Sequence, residues 1–260
     1  MQVALWTLVA FSLVTLAAPT FIILGASVTA GNIITFPPDG FSFKWYGKVF
    51  GSAALRDAFL RSLWVSVICT AVSVPAGTLA ALGLARHRVR FPRTLQLYLL
   101  LPFTIPLIAS GMGMMLWFGE IGILGQLWPV GLACCVINLP FMIWAVLASA
   151  NALDPDLENA AANCGAPPLQ SFLTVTLPAV TPGVITGALI MFVLAFNEFL
   201  VSLLLTDANI VTLPVSIYNS IRSIITPDLA AVSVVYIAMA AVAIAVLDRL
   251  VGLEVFLKSK

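Results

Sequence analysis

Long apolar runs separated by short polar loops dominate the hydrophobic pattern of this chain. A membrane helix needs about 20 mostly apolar residues, and six segments meet that requirement. They are Val3–Ala26, Leu63–Ala85, Leu95–Phe118, a helix within Ile121–Ala150, Val180–Leu205 and Leu229–Leu247. The pattern therefore predicts an all-α polytopic membrane protein with six transmembrane helices and a cytoplasmic helical loop between helices 4 and 5.

The predicted organisation is a single membrane domain over residues 1–260. Residues 1–28 form the first helix, residues 29–60 an outer segment with turn residues at Pro37–Gly40, and residues 61–260 a five-helix core. The first run could instead be a secretory signal peptide. It lacks a basic start and a clean small-residue cleavage site, so a retained helix is favoured.

Composition excludes several classes of protein. Charged residues make up 9% of the chain, against about 25% in a soluble domain. This is too little charge to cover the surface of a soluble globular protein, so that class is excluded. A net charge of +1 gives no basic footprint for nucleic acid. The cysteines show no CxxC spacing and the single histidine, His87, has no metal-ligand partner, so neither disulfides nor a metal site are predicted. No nucleophile–base pair is apparent, and no catalytic residue is predicted.

Lysine and arginine bias sets the orientation. The loop Arg86–Arg93 is short and strongly basic, which places it and both chain termini in the cytoplasm. Lys258 and Lys260 agree with that orientation. Four basic residues on the opposite side disagree with it: Lys44, Lys48, Arg56 and Arg61.

The polar stretch of residues 151–178 carries strong helix signals. Asp154 is a suitable N-cap with Pro155 at the first helical position, and acidic residues follow in the first turn. Gly165 suits the left-handed position that ends a helix, and Pro167 and Pro168 prevent its continuation. A second short helix is expected from Pro168 to Pro178. An ordinary amphipathic surface loop is the alternative interpretation.

The loop also resembles a family signature. Asn159-Ala160-Ala161, three residues, Gly165, nine residues and Val175-x-Leu177-Pro178 match the cytoplasmic motif of binding-protein-dependent ABC importer permeases in spacing. That family has Glu-Ala-Ala, three residues, Gly, nine residues and Ile-x-Leu-Pro. Here Asn159 replaces the glutamate, Glu158 stands one residue early, and Val175 replaces isoleucine.

The resemblance implies a bacterial inner-membrane permease whose coupling helix, within Asp156–Pro168, docks on a cytoplasmic ATPase dimer. The implied coupling residues are Asp156, Glu158, Asn159, Ala160, Ala161, Gly165, Ala166 and Pro167. The other implied partners are a second permease subunit, a periplasmic binding protein and the lipid bilayer, with no nucleic acid. The chain contains no G-x-x-x-x-G-K-[ST] loop, so it is expected to bind no cofactor itself, with ATP and Mg on the ATPase.

A narrower resemblance is to the second permease of spermidine/putrescine-type importers. It rests on Asn197–Ser202, Thr212–Tyr218, Ile221-Arg222 and Thr226-Pro227. It implies import of a small organic amine; an opine, an amino-acid-like compound or an anion is the alternative solute. A self-sufficient secondary transporter, which favours repeated halves with broken helices, and a membrane scaffold are the alternative functions.

One acidic residue stands inside a predicted membrane span. Intramembrane charges are costly and mark functional sites, so Glu198, late in the fifth helix, is predicted to attract a cationic solute. The alternatives are that it reaches the outer interface or pairs with Arg222. Further candidates for the solute path are Asn197, Phe196, Asn138, Trp117 and Glu120. For Asn138 a bond to a neighbouring helix is the alternative, and for Glu120 a solvated loop position is favoured.

Proline and glycine mark two of the spans. Pro102 and Pro106 in the third span favour a kink, which suits a gate or static packing equally. Gly183 and Gly187 in the fifth span form a helix-packing pattern whose partner, in this chain or another, is left open.

Overall fold

The structure is a computed structural model of the chain, and it describes residues 2–33, 37–86, 92–207, 209–223 and 226–251. The predicted all-α architecture is confirmed. Most of the basic loop after Arg86, together with His87, Lys258 and Lys260, lies outside the described residues. The helices are α1 Gln2–Ser27, α2 Lys44–Gly51, α3 Ala53–Arg86, α4 Pro92–Thr104, α5 Leu107–Glu120, α6 Leu127–Ala152, α7 Pro155–Asn163, α8 Pro168–Ser171, the π-helical turn Phe172–Thr176, α9 Leu177–Phe196, α10 Leu200–Leu205, α11 Leu213–Ser223 and α12 Pro227–Val251.

Four helical runs of the described chain are long and apolar enough to cross a membrane. They are Leu5–Ser27, Ala53–Arg86, Leu127–Ala152 and the continuous run Pro168–Phe196. They correspond to the first, second, fourth and fifth predicted spans. The sixth corresponds to α12, whose apolar part Pro227–Val242 is shorter.

The third predicted span is broken rather than continuous. Helix α4 ends at Thr104 and α5 begins at Leu107, with Pro106 at the N-cap of α5. A proline disfavours helical geometry in the residue before it and cannot donate a backbone hydrogen bond, which explains the interruption at Ile105. The kink predicted from Pro102 and Pro106 is thus present as a break.

The fifth span begins earlier than the sequence suggests. The second short helix was expected to end at Pro178, with the span starting at Val180, and this expectation is wrong. The helix instead continues from Pro168 through the π-helical turn, where the Leu177 N–H bonds to the Phe172 carbonyl. Pro178 lacks an N–H and its ring clashes with the carbonyl one turn back, and the wider π turn accommodates both effects.

The same span also ends earlier than predicted. Helix α9 stops at Phe196, and α10 begins only at Leu200. The Asn197 side-chain Nδ2 donates to the Val193 carbonyl at 2.8 Å. Such local side-chain bonds compete with the helical ladder and favour a helix end at this position.

Helix α6 packs along α9, and glycine permits their close approach. A Cβ atom on Gly183 would lie 2.6 Å from the Ala145 carbonyl oxygen, and one on Gly187 would collide with the Met142 sulfur. The helix-packing interpretation of these glycines is confirmed, and their partner is α6 of the same chain. Met142 and Val180 are fully buried in this core.

The chain forms two compact units. One comprises residues 1–59 and 213–242, and the other residues 60–212 and 243–260. In the first unit, Trp45 of α2 is buried beside Ala231 and Val232 of α12, and its Nε1 donates to the Thr29 carbonyl at 2.9 Å. The predicted turn before α2 contains Gly40 at φ 77°. The second unit holds the α6–α9 core and the candidate site.

Candidate functional site

Helix α7 is capped at its start as the sequence predicts. The Asp154 Oδ1 accepts a hydrogen bond from the Asp156 backbone N–H at 3.0 Å, and Pro155 occupies the first turn. Asp156 and Glu158 lie in that turn, where carboxylates interact favourably with the helix dipole. These contacts stabilise a helix too short to be stable from backbone hydrogen bonding alone.

The end of α7 is equally well defined. Gly165 adopts φ +84°, and its N–H bonds to the Ala162 carbonyl at 2.9 Å. The Ala166 N–H bonds to the Ala161 carbonyl at 3.1 Å, which completes a Schellman motif. Among the described residues, no atom lies within 4 Å of a Cβ built on Gly165. The backbone conformation, not lack of space, therefore requires glycine here.

The predicted coupling residues divide between two faces of the loop. Most are exposed, and the Asn159 Nδ2 donates to the Asp156 Oδ1 at 3.3 Å. The exposed residues are Asp156, Asn159, Ala160, Gly165 and Pro167, whereas Glu158, Ala161 and Ala166 are partly buried. The exposed group forms a small-residue surface that another protein can approach closely.

Glu158 faces its own subunit. Its Oε1 accepts a hydrogen bond from the Arg86 Nη2 at 3.1 Å and another from the Thr176 Oγ1 at 2.7 Å. The side chains of Arg86 and Glu158 are only 22% and 27% exposed. Sequence reasoning did not identify Arg86 or Thr176 as parts of this site. Two sequence features could have indicated the pair. Arg86 ends an apolar helix, and Glu158 stands one residue before the acidic position of the family motif.

An open crevice of about 590 Å³ lies beside this ion pair. Its lining includes the apolar side chains of Leu79, Leu82 and Phe172 as well as Arg86 and Glu158. The crevice separates the end of α3 from the α7–α8 turn. The Arg86–Glu158 ion pair is a polar contact between α3 and α7 beside this crevice.

Glu198 lies in the break between α9 and α10, not within a continuous helix. Its Oε1 accepts from the Val201 N–H at 3.0 Å, so the carboxylate caps the start of α10. The side chain is half-buried, and the neighbouring Asn197 is exposed. Arg222, the partner considered from sequence, has its guanidinium over the Tyr218 ring at 5.7 Å.

The other path candidates fall into two groups. Phe196 is 1% exposed and stacks on Phe192, with ring centroids 5.9 Å apart. Asn138 is 8% exposed, and its Nδ2 donates to the Cys134 carbonyl of its own helix at 3.0 Å rather than to a neighbouring helix. Trp117 and Glu120, at the end of α5, are exposed. Helices α5, α6 and α10 pack together, so these residues belong to one region of the second unit.

Comparison with known proteins identifies the family. Residues 73–253 match the binding-protein-dependent transport system inner membrane component. The chain belongs to this permease family. It is therefore a multi-pass inner-membrane subunit of an ABC importer, and it is a transport subunit rather than an enzyme.

Individual relatives of this permease differ in the solute that they transport. The spermidine/putrescine transport system permease protein PotC of Haemophilus influenzae is 25% identical over 212 residues, covering 82% of each chain. The molybdenum transport system permease protein ModB of Mycobacterium tuberculosis is 30% identical over 205 residues, covering 73% of this chain and 77% of that protein.

A solved structure shows the same fold. The crystal structure of a bacterial ABC transporter involved in the import of the acidic polysaccharide alginate contains a chain with a TM-score of 0.73. The match covers 95% of both chains at 17% identity. At this identity the likeness supports the fold of the permease and leaves its solute to other arguments.

Proposed function

We propose that this permease couples ATP hydrolysis on a separate cytoplasmic ATPase dimer to solute import through α7. The supporting observation is that α7 is capped at both ends, exposed, and lined by small residues. A stiff helix transmits a push from a docked partner as a rigid body, whereas a flexible loop absorbs it. The permease itself binds no cofactor under this proposal, and ATP and Mg are held by the ATPase.

The proposed assembly contains a second permease subunit and a periplasmic binding protein in addition to the ATPase dimer. Helix α1 has apolar surface available to the bilayer or to a second subunit, because its apolar window has no buried residue within this chain. Such a helix needs lipid or another subunit around it. The basic loop Arg86–Arg93 supports cytoplasmic termini, which puts α7 on the ATPase side of the membrane.

We further propose a small organic amine, such as putrescine or spermidine, as the solute. The support is the similarity to PotC and the half-buried carboxylate of Glu198 at a helix break. A carboxylate in a low-dielectric region attracts an ammonium group strongly. The exposed indole of Trp117 can add a cation–π contact.

An anionic, opine-like or amino-acid-like solute is the second candidate. The similarity to ModB favours it, as does the engagement of Glu198 in capping α10. A carboxylate that already accepts a backbone hydrogen bond presents a weaker field, and its neighbour Asn197 is neutral. The first candidate is a polycation, whereas solutes of the second class are anionic or zwitterionic.

The test begins with affinity purification of the full-length chain from its native membranes in mild detergent. Co-purification of an ATP-binding subunit, lost in Ala160→Arg but kept in the α2 control Gly47→Arg, is the expected result. Recovery of the chain without any ATP-binding subunit would contradict the coupling proposal. Calorimetric titration of the associated periplasmic binding protein with putrescine, spermidine and molybdate then separates the two solute classes.

A further inference from the structure

Three structural elements meet at one oxygen atom of the second unit. The Glu158 Oε1, from the first turn of α7, receives one hydrogen bond from the last residue of α3 and one from the π-helical turn before α9. Both donors are far from Glu158 in sequence, by 72 and 18 residues. The contact therefore joins the coupling helix to two long membrane helices of the same chain.

We propose that Glu158 is a positioning residue that fixes α7 relative to α3 and α9, so that movement of α7 is passed to both membrane helices. The inference rests on the proposed coupling function of α7. It assigns Glu158 a task different from that of the exposed Asn159. The carboxylate of Glu158, which stands one residue early in the motif, points to α3 and the turn before α9, whereas Asn159 is exposed and donates to Asp156 within α7.

Packing alone holds α7 weakly. None of the residues Pro155–Asn163, all of which the structure describes, is buried. Hydrophobic burial is the main force that orients a helix on its neighbours, and α7 obtains little of it. Charge-assisted hydrogen bonds are about twice as strong as neutral ones, and Arg86 and Glu158 are sheltered from most of the solvent. The joint at Glu158 therefore carries a large share of the attachment of α7.

The π-helical turn places the second donor. A π turn contains one more residue than an α turn, and one residue corresponds to about 100° of rotation around the helix axis. Thr176 is the last residue of this turn, is 6% exposed, and directs its hydroxyl to Glu158. The last residue of this irregular turn is therefore the one that supplies the second hydrogen bond to Glu158.

The first test measures the mobility of α7 directly. Cys164 at its C-cap is exposed, whereas Cys69, Cys134 and Cys135 are buried, so a nitroxide label can be placed on Cys164 of the purified full-length chain. We expect Glu158→Gln, Glu158→Leu and Thr176→Val to increase label mobility, with Leu above Gln because Gln keeps a hydrogen-bonding oxygen. Thr176→Val changes no charge, and it leaves the basic topology signal at Arg86 intact.

Two matched variants serve as controls. Asp57→Asn removes the acid of an exposed ion pair with Arg56, whose side chains are 49% and 71% exposed. Thr181→Val removes a half-buried hydroxyl that donates to the Leu177 carbonyl within its own helix. Neither control is expected to alter label mobility. The double variant Arg86→Glu/Glu158→Arg is expected to restore immobility relative to either single change, which general destabilisation does not predict.

The second test measures solute transported per ATP hydrolysed in the assembled transporter. Loss of a charge-assisted hydrogen bond predicts a fall of about tenfold for Glu158→Leu and Thr176→Val, with ATP hydrolysis retained. Unchanged label mobility would overturn the joint, and increased mobility with unchanged transport per ATP would overturn its role in transmission. If the unmodified assembly shows no ATP-dependent uptake, the coupling proposal fails, while the label spectra still decide whether Glu158 holds α7.

Discussion

The carboxylate of Asp154 accepts a hydrogen bond from the backbone N–H of Asp156 at 3.0 Å, which closes the first turn of α7. Removal of an N-cap costs about 1 kcal/mol of helix stability. We therefore expect Asp154→Ala to increase amide exchange in α7 and to lower uptake. Asp154→Ser, which keeps an N-cap oxygen, is expected to leave exchange and uptake close to those of the unmodified chain. Hydrogen exchange of the full-length chain provides the measurement. Equal exchange in the Ala and Ser variants would show that the cap does not control α7.

The left-handed Gly165 yields a second prediction. At φ +84° a β-branched residue is strained by roughly 1–2 kcal/mol or more, whereas Asn tolerates this region. Gly165→Val is expected to uncouple ATP hydrolysis from uptake with normal membrane insertion, and Gly165→Asn to keep most of the uptake. Gly47→Ala, on the surface of α2, is the control. Full uptake by Gly165→Val would contradict the required end of α7.

The close approach of α9 to α6 predicts a stability defect. A Cβ on Gly183 would lie 2.5 Å from the Ser149 Oγ. Overpacking of this kind lowers the free energy of unfolding by about 1–3 kcal/mol. Gly183→Ala is therefore expected to lower the unfolding temperature in detergent. Gly83→Ala is the matched control, because no described atom lies within 4 Å of its added Cβ. Equal unfolding temperatures would mean that α6 and α9 separate at little cost.

Substitutions at Glu198 separate its charge from its capping role. Glu198→Gln keeps a side-chain oxygen that can accept from the Val201 N–H, yet removes the negative charge. If the solute is cationic, kcat/KM for uptake is expected to fall about tenfold in Glu198→Gln, corresponding to about 1.4 kcal/mol. Glu198→Ala, which also removes the cap, additionally destabilises α10. Unchanged kinetics in Glu198→Gln would assign Glu198 to capping alone.

The parts of the site that depend on local sequence could be predicted. Asp154, Pro155 and Gly165 act within one turn of the residues that they stabilise, so the start and end of α7 follow from their chemistry. The break around Pro106 follows for the same reason. In each case the cause and its structural effect are neighbours in the chain.

The parts that depend on tertiary contacts could not be predicted. Arg86 and Glu158 are 72 residues apart, and no local rule pairs them. Nor did the sequence show that Phe196 is buried, because α9 is apolar on all sides and no polar face marks which side chains point inward. Nor was the π turn before α9 predicted, because a proline such as Pro178 more commonly ends or kinks a helix.

The coupling claim is tested most directly by reconstituting the full-length chain with its partner subunits into proteoliposomes. ATP hydrolysis and solute uptake are then measured together, with and without an ion gradient. Coupling through α7 predicts uptake that requires ATP, and continued hydrolysis without uptake in Gly165→Val. Uptake driven by an ion gradient in the absence of ATP would contradict it.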